Sequence, residues 1–210
     1  MTAEAVKPRK LEPGTSGWTA SDLDDPVIAA AWDAGRFEII NGILKKMPAA
    51  DFSHGEAVFE LLSQLREQLR AQGRKVRVST EVDLIVSEDD VLRVDGMLIT
   101  DREEAEQKRV LIQLKRDSGG RLGRIRVAPA LVIESVSAGH ERHDRLTKNR
   151  IYAGFGIPNY WIVDTMRRTL ECFVLDGQQY RADVSGQGRD VLHPASFQGL
   201  QIQCGALWGE

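Results

Sequence analysis

The spacing of apolar residues predicts one long amphipathic helix in the first third of the chain. Apolar side chains recur at helical intervals through residues 53–73, and Gly73 ends the pattern. Ser53 and Glu56 have the spacing of a capping box, which predicts that the helix begins there. Helical patterns also cover residues 101–110 and 140–156, and a shorter one ends at Gly35.

Between these helices, alternating or continuous apolar runs predict strands. The dipeptide Asn41-Gly42 separates two such runs and predicts a tight hairpin. Further runs predict a hairpin over residues 75–99, a single strand over residues 129–137, and a third hairpin over residues 158–181. This order of elements indicates an α/β fold with a mixed central sheet flanked by helices.

The chain shows no internal repeat and no low-complexity linker, so we expect one domain from residue 18 to residue 210. The Pro, Gly, Ser and Lys content of residues 1–17 predicts a mobile N-terminal tail. No apolar run approaches the roughly 18–20 residues of a membrane span. Cys172 and Cys204 lie too far apart for a CxxC or Cys/His metal motif. These features predict a cytoplasmic, reduced protein without a membrane partner.

A carboxylate interrupts the predicted strand ALVIESVS, residues 130–137. Side chains alternate along a strand, so Glu134 shares its face with Val132 and Val136. Burying an ionised carboxylate is costly unless the charge is paired or bound to a metal. Two explanations are open: Glu134 emerges into solvent at the end of the strand, or a cation holds it inside.

A second unusual carboxylate is Asp95, in the predicted strand VLRVDGMLI. Asp is depleted in strands, and Gly96 next to it marks a bulge or a close approach by a ligand. The other explanation is a turn, because Asp-Gly is a strong hairpin dipeptide.

The helix that follows Glu134 places polar side chains on one side, at a spacing of four residues. They are His140, Asp144, Lys148 and Tyr152. Lys148 either forms an exposed ion pair with Asp144 or points back at the strand carboxylates.

A divalent cation would explain two carboxylates on neighbouring strands, because it removes their mutual repulsion. Mg²⁺ takes one or two carboxylates together with water and phosphate oxygens. Such a site performs phosphoryl chemistry, and a nearby lysine can orient water or stabilise the transition state.

These segments resemble the Uma-two (Uma2) family of restriction endonucleases, within the PD-(D/E)XK nuclease superfamily. The similar blocks are RFEIINGIL, HGEAVFELLSQL, VDGMLI and LVIESVSAGHERHDRLTKNRIYAGFGIPNYWIVD, and they span residues 35–208 in the family's order. The last block, with Glu, Ser, Asp-x-x-x-Lys-x-x-x-Tyr and Gly-Ile-Pro-x-Tyr-Trp, is the specific one.

The resemblance implies a restriction-endonuclease-like fold with a mixed central β-sheet flanked by α-helices. The family's acidic pair maps onto Asp95 and Glu134, which would hold Mg²⁺ or Mn²⁺. The superfamily's usual lysine position, two residues after the Glu, is Val136 here, and the lysine maps onto Lys148 instead. His54 matches a histidine usual at the start of the long helix, and it is assigned with Asp144 an orienting or assisting catalytic role.

The net charge of −3 gives no global argument for nucleic-acid binding, so contact with DNA would need a local basic patch. The candidates are Lys108, Arg109, Lys115, Arg116, Arg121, Arg124, Arg126, Arg142, Arg145 and Arg150. They form either a phosphate-contacting rim or an ordinary solvated surface.

Three functions remain open from the sequence. The first is a Mg²⁺-dependent DNA endonuclease, for which a homodimer is plausible because two sites cut two strands. The second is a catalytically silent relative that binds nucleic acid or a protein. The third is a metal-dependent hydrolase of another small phosphate ester, without salt-sensitive affinity for DNA.

Overall fold

The structure is a computed structural model that describes residues 10–48, 51–114, 123–136 and 141–210, with only the backbone described for residues 141–145. By its internal contacts the chain divides into two compact units, where the sequence predicted one domain from residue 18. The smaller unit comprises Met1–Ala49 and Ile85–Arg93. The larger unit comprises Ala50–Leu84 and Val94–Glu210.

The smaller unit begins with a short 3-10 helix, Ala20–Asp24, and helix α1, Pro26–Ala34. Strands β1, Phe37–Ile40, and β2, Ile43–Lys46, then form the predicted hairpin. Asn41 and Gly42 have φ of 51° and 71°, the left-handed pair that a two-residue type I′ turn requires. Trp18, Trp32 and Ile39 are buried in this unit's core.

Part of the predicted mobile tail pairs with this hairpin. Gly14 donates its N–H to the Leu44 carbonyl at 2.8 Å, and Leu44 donates to the Thr15 carbonyl at 2.9 Å. Ser16 forms a β-bridge with Ile43. Residues 14–16 therefore act as an additional edge to β2, which the polar composition of this segment did not reveal. Residues 1–9 lie outside the described residues.

The larger unit contains the remaining elements, and the strand β4 begins in the smaller unit. Its helices are α2, Phe52–Ala71; α3, Asp101–Gln113; α4, Glu141–Phe155; and α5, Cys204–Leu207. Its strands are β3, Val76–Ile85; β4, Val91–Thr100; β5, Leu131–Val136; β6, Asn159–Asp164; β7, Thr169–Asp176; β8, Gln179–Gln187; β9, Val191–Leu192; and β10, Ile202–Gln203.

The sheet of the larger unit is mixed, as predicted. Its order is β4-β5-β6-β7-β8, with β3 also paired to β4. β5 and β6 are parallel and are connected through α4, whereas β4–β5, β6–β7 and β7–β8 are antiparallel. Parallel neighbours need a crossover connection, and the helical pattern after Glu134 supplies it.

Helix α2 packs its apolar stripe onto this sheet. Leu61, Leu65 and Leu69 are fully buried in one cluster with Ile133 and Trp161. The cap of α2 differs from the predicted Ser53–Glu56 box, because the Asp51 carboxylate accepts the Ser53 N–H at 2.9 Å. Asp is as good an N-cap as Ser, so the cap lies two residues before Ser53 and the helix begins at Phe52.

Both cysteines are buried in the core of the larger unit, and neither forms a disulfide. Burial raises the pKa of the Cys204 thiol to about 11, and burial together with the nearby Asp183 carboxylate raises the pKa of Cys172 further. We therefore expect a thiol reagent at pH 8 to label neither cysteine in the folded protein and both in denaturant, because only the thiolate reacts. Rapid labelling of the folded protein would contradict this burial.

No helix in the described ranges is both long enough and apolar enough to cross a membrane.

Candidate active site

Two carboxylates meet on the neighbouring strands β4 and β5. These strands are antiparallel, with Gly96 opposite Ile133 and Met97 opposite Val132. Continued by one residue, this register places Asp95 opposite Glu134, and residues opposite each other project from the same face. The Ser135 N–H donates to Asp95 Oδ2 at 2.7 Å, so Asp95 contacts β5 directly beside Glu134. The alternative of a turn at Asp95-Gly96 is wrong, because β4 runs through both residues.

Gly96 is required by packing on the opposite face of the sheet. A Cβ atom at this position would lie 2.8 Å from Val58 Cγ1 and 3.2 Å from Ile133 Cβ. The side chains that approach the strand therefore belong to α2 and β5, and the close approach is made by the protein rather than by a ligand. The pairing of Gly96 with Ile133 belongs to the register that brings Asp95 opposite Glu134.

Glu134 is buried, with 7% of its surface exposed, so it does not emerge into solvent at the end of the strand. Its two carboxylate oxygens have separate donors on α4. Lys148 Nζ lies 3.0 Å from Oε2, and the Tyr152 hydroxyl donates to Oε1. Lys148 is itself 8% exposed and Tyr152 is fully buried. The cost of burying the Glu134 charge is therefore offset by an ion pair and a hydroxyl hydrogen bond.

The side chain of Lys148 points toward the strand that carries Glu134. Lys148 and Tyr152 are four residues apart and lie on the same side of α4, which packs on the face of the sheet that carries Glu134. Lys148 therefore points back at the strand and contacts Glu134, which is one of the two explanations that its spacing allowed. The side chain of Asp144 lies outside the described residues, and its assisting role stays a prediction.

His54 lies in the first turn of α2 and is half-buried. It precedes Val58 by one helical turn, and Val58 packs on the face of the sheet opposite to Asp95 and Glu134. Within the part of the chain that the structure describes, His54 forms no hydrogen bond or ion pair with either acid. A contact between His54 and a bound substrate stays a prediction.

The donor set of this site fits Mg²⁺ or Mn²⁺. Asp95 and Glu134 offer carboxylate oxygens, which are the hard ligands that these cations prefer. Among the described residues there is no group of three or more His, Cys, Asp or Glu side chains that could hold a metal. A cation here would take two carboxylates and fill its other positions with water and phosphate oxygens, which is the coordination that Mg²⁺ favours.

The predicted basic rim is only partly described, and its described cations are mostly ion-paired. Lys115, Arg116 and Arg121 lie outside the described residues, as do the side chains of Arg142 and Arg145. Three of the others pair with acids: Lys108 with Glu104 at 2.6 Å, Arg109 with Glu106 at 2.7 Å, and Arg124 with Asp83 at 3.1 Å. The hydrogen bond from Lys108 lowers the pKa of Glu104, so that acid is ionised at neutral pH and offsets the positive charge.

The face that carries Glu134 continues across the sheet into an acidic cleft. Glu134 is opposite Ile162 on β6, and Ile162 is opposite Glu171 on β7. Glu171, Asp164 and Asp190 line a cleft of about 450 Å³, together with Arg167. The Arg167 guanidinium pairs with Asp164 at 3.0 Å. Among the described residues that line the cleft, three acids face one cation, a balance that disfavours a phosphate backbone there.

Comparison with known proteins gives a family and a fold. A model of the Uma2 family, described as "Putative restriction endonuclease", matches residues 30–205. A solved structure, a putative nuclease of the family DUF820 from Anabaena variabilis, is similar with a TM-score of 0.59 and 18% sequence identity, over 82% of this chain and 89% of that chain. No curated protein matches the chain. The structural likeness confirms the predicted fold class, and the family match covers most of the chain, so the protein belongs to the Uma2 family of putative restriction endonucleases.

Proposed function

We propose that this protein is a Mg²⁺-dependent endonuclease that hydrolyses phosphodiester bonds of DNA, with Mn²⁺ able to replace Mg²⁺. The observation that carries the proposal is the placement of Asp95 opposite Glu134, with Lys148 on the second acid. In a member of a nuclease family, this combination of two oxygen ligands and one cation suits the hydrolysis of a phosphate diester.

Asp95 and Glu134 would hold the metal ion, which when bound polarises a phosphate oxygen and makes a coordinated water more acidic. Asp95 keeps its orientation through the Ser135 N–H, so the acid is fixed before any ligand arrives. Lys148 carries its positive charge within 3.0 Å of Glu134, where it can orient the attacking water or offset negative charge that develops on the phosphate.

The proposal of DNA as the substrate is supported by the charges around the site and by the family to which the chain belongs. The acidic cleft beyond Glu134 disfavours passage of a phosphate backbone on that side. Arg150, exposed on α4, would contact the backbone instead. Cutting both strands of a duplex would be simplest for a homodimer, and we propose that state together with a cytoplasmic location.

The test is cleavage of supercoiled plasmid by the purified full chain, with and without Mg²⁺ or Mn²⁺. We expect nicked and linear products with either metal and intact plasmid with EDTA. DNA affinity in Ca²⁺ should fall steeply between 50 and 200 mM salt, by about tenfold for every two phosphate contacts. Hydrolysis of a small phosphate ester without salt-sensitive DNA binding would indicate the other hydrolase class.

One observation favours a catalytically silent relative that binds nucleic acid or a protein. Lys148 and Tyr152 together satisfy both oxygens of Glu134, so the acid needs no metal to be tolerated in the core. Titration calorimetry with Mn²⁺ separates the two candidates. Binding near 1:1 that is lost on replacing Asp95 supports the nuclease, and the absence of any binding supports the silent relative.

A further inference from the structure

Tyr152 is in direct contact with Glu134, although the catalytic residues expected from the sequence do not include it. Its side chain is fully buried on α4, and its hydroxyl donates to Glu134 Oε1. The ring packs edge-on against Tyr160 on β6, with 5.4 Å between ring centroids. Tyr160 in turn lies 5.4 Å from the ring of Tyr180. A tyrosine ring has few rotatable bonds, so this packing holds the hydroxyl at one position beside the carboxylate.

The two donors on Glu134 restrain a torsion that is otherwise soft. Rotation of a glutamate carboxylate about its terminal bond has broad, shallow minima. Lys148 on Oε2 alone would leave the carboxylate free to turn around that single contact. With Tyr152 on Oε1 as well, both oxygens are held from α4, and rotation of the carboxylate would break at least one of the two contacts.

We propose that Tyr152 is a positioning residue that orients the Glu134 carboxylate for a divalent cation of the Mg²⁺ or Mn²⁺ class. This inference rests on the proposed function, since Glu134 has to be a metal ligand for its orientation to matter. Groups that hydrogen-bond to a metal ligand commonly change metal affinity by about 10- to 100-fold when they are removed. Tyr152 acts through Glu134 and touches neither substrate nor metal.

The structure offers a matched control in the same aromatic cluster. Tyr180 also packs against Tyr160, and its hydroxyl donates at 2.7 Å to the carbonyl of Ile157 rather than to an acid. Burial raises the pKa of Tyr180, so its hydroxyl stays protonated at neutral pH. Tyr180→Phe removes one hydroxyl hydrogen bond from the cluster without removing a contact to Glu134.

The experiment compares Tyr152→Phe, Tyr180→Phe and the unmodified full chain. Mn²⁺ affinity is measured by titration calorimetry and by the loss of the free-ion signal in electron paramagnetic resonance. Plasmid cleavage is then followed as a function of Mn²⁺ concentration. We expect Tyr152→Phe to weaken Mn²⁺ binding by about tenfold and to raise the half-activating Mn²⁺ concentration equally, with cleavage restored at saturating metal. Tyr180→Phe should stay within about twofold of the unmodified protein.

Each outcome decides the inference. Equal Mn²⁺ affinity in Tyr152→Phe and the unmodified chain would overturn the positioning role while leaving the proposed nuclease intact. Equal weakening in both variants would also overturn it, because the effect would then come from the aromatic cluster. If the unmodified chain binds no Mn²⁺, both the proposed metal site and the role of Tyr152 are wrong.

Discussion

Asp95→Asn is expected to reduce metal-dependent plasmid cleavage by about three orders of magnitude while leaving the fold intact. Removal of one electrostatic stabiliser of a transition state commonly costs about 10²–10³ in rate, and a metal ligand affects every later step. Asparagine has nearly the same shape as aspartate, and its side-chain oxygen can still accept the Ser135 N–H that Asp95 accepts at 2.7 Å. The variant therefore loses the ligand charge and keeps the hydrogen bond to β5.

Cleavage rates at saturating Mg²⁺ and thermal unfolding of the same preparations check this prediction. Asp176→Asn is the control, because Asp176 is an exposed acid at the end of β7. The control should cleave like the unmodified chain. Full cleavage by Asp95→Asn, with unchanged metal dependence, would mean that Asp95 is not a metal ligand and that the site lies elsewhere.

Lys148→Met is expected to lower the free energy of unfolding by about 3 kcal/mol and to reduce cleavage by at least about 100-fold. The lysine and Glu134 side chains are 11% and 9% exposed, so the pair is poorly solvated. Removing one partner of a buried ion pair leaves a charge in the interior without its counter-ion, at a cost of about 3–5 kcal/mol. The expected loss of cleavage has a separate cause, because the proposed mechanism uses Lys148 as the cation that offsets charge on the reacting phosphate.

A double-mutant cycle measured by urea denaturation isolates the electrostatic part. Glu134→Gln combined with Lys148→Met should recover most of the stability lost in either single variant, because no uncompensated charge remains. Lys108→Met is the control: its pair with Glu104 is exposed on the lysine side, and its loss should cost less than about 0.5 kcal/mol. Additive effects of the Glu134 and Lys148 changes would show that the two side chains do not interact energetically.

Most of the local structure was predictable from the sequence because it depends on short-range spacing. The hairpin at Asn41-Gly42, the long helix α2 and the crossover helix α4 each follow from a turn dipeptide or a helical apolar period. β8 was not fully predicted, since its residues are largely exposed and mostly polar, so they show little alternation. The cap of α2 was placed two residues late because Asp51 and Ser53 have comparable capping propensities.

The candidate site was likewise predictable only where it depends on short-range spacing. The spacing of Lys148 and Tyr152 on one side of a helix is local and was visible in the sequence. The opposition of Asp95 and Glu134 depends on strand register between segments about 40 residues apart, which no local pattern determines. The role of Tyr152 was missed because it depends on how closely α4 packs on the sheet. The paired hydrogen bonds that Lys148 and Tyr152 make with Glu134 are what indicates this role.

Glu134 lies on β5 and Lys148 lies on α4, and this separation affects how related proteins can be recognised. A search for the superfamily signature with lysine two residues after the acid would pass over this chain, because Val136 occupies that position. In this chain the acid on the strand is followed fourteen residues later by the lysine that contacts it and eighteen residues later by the tyrosine that contacts it. Relatives could be aligned by their strands and helices first, and then compared at these two spacings. Such a comparison would detect divergent relatives that keep the contacts to the acid but lack the short sequence motif.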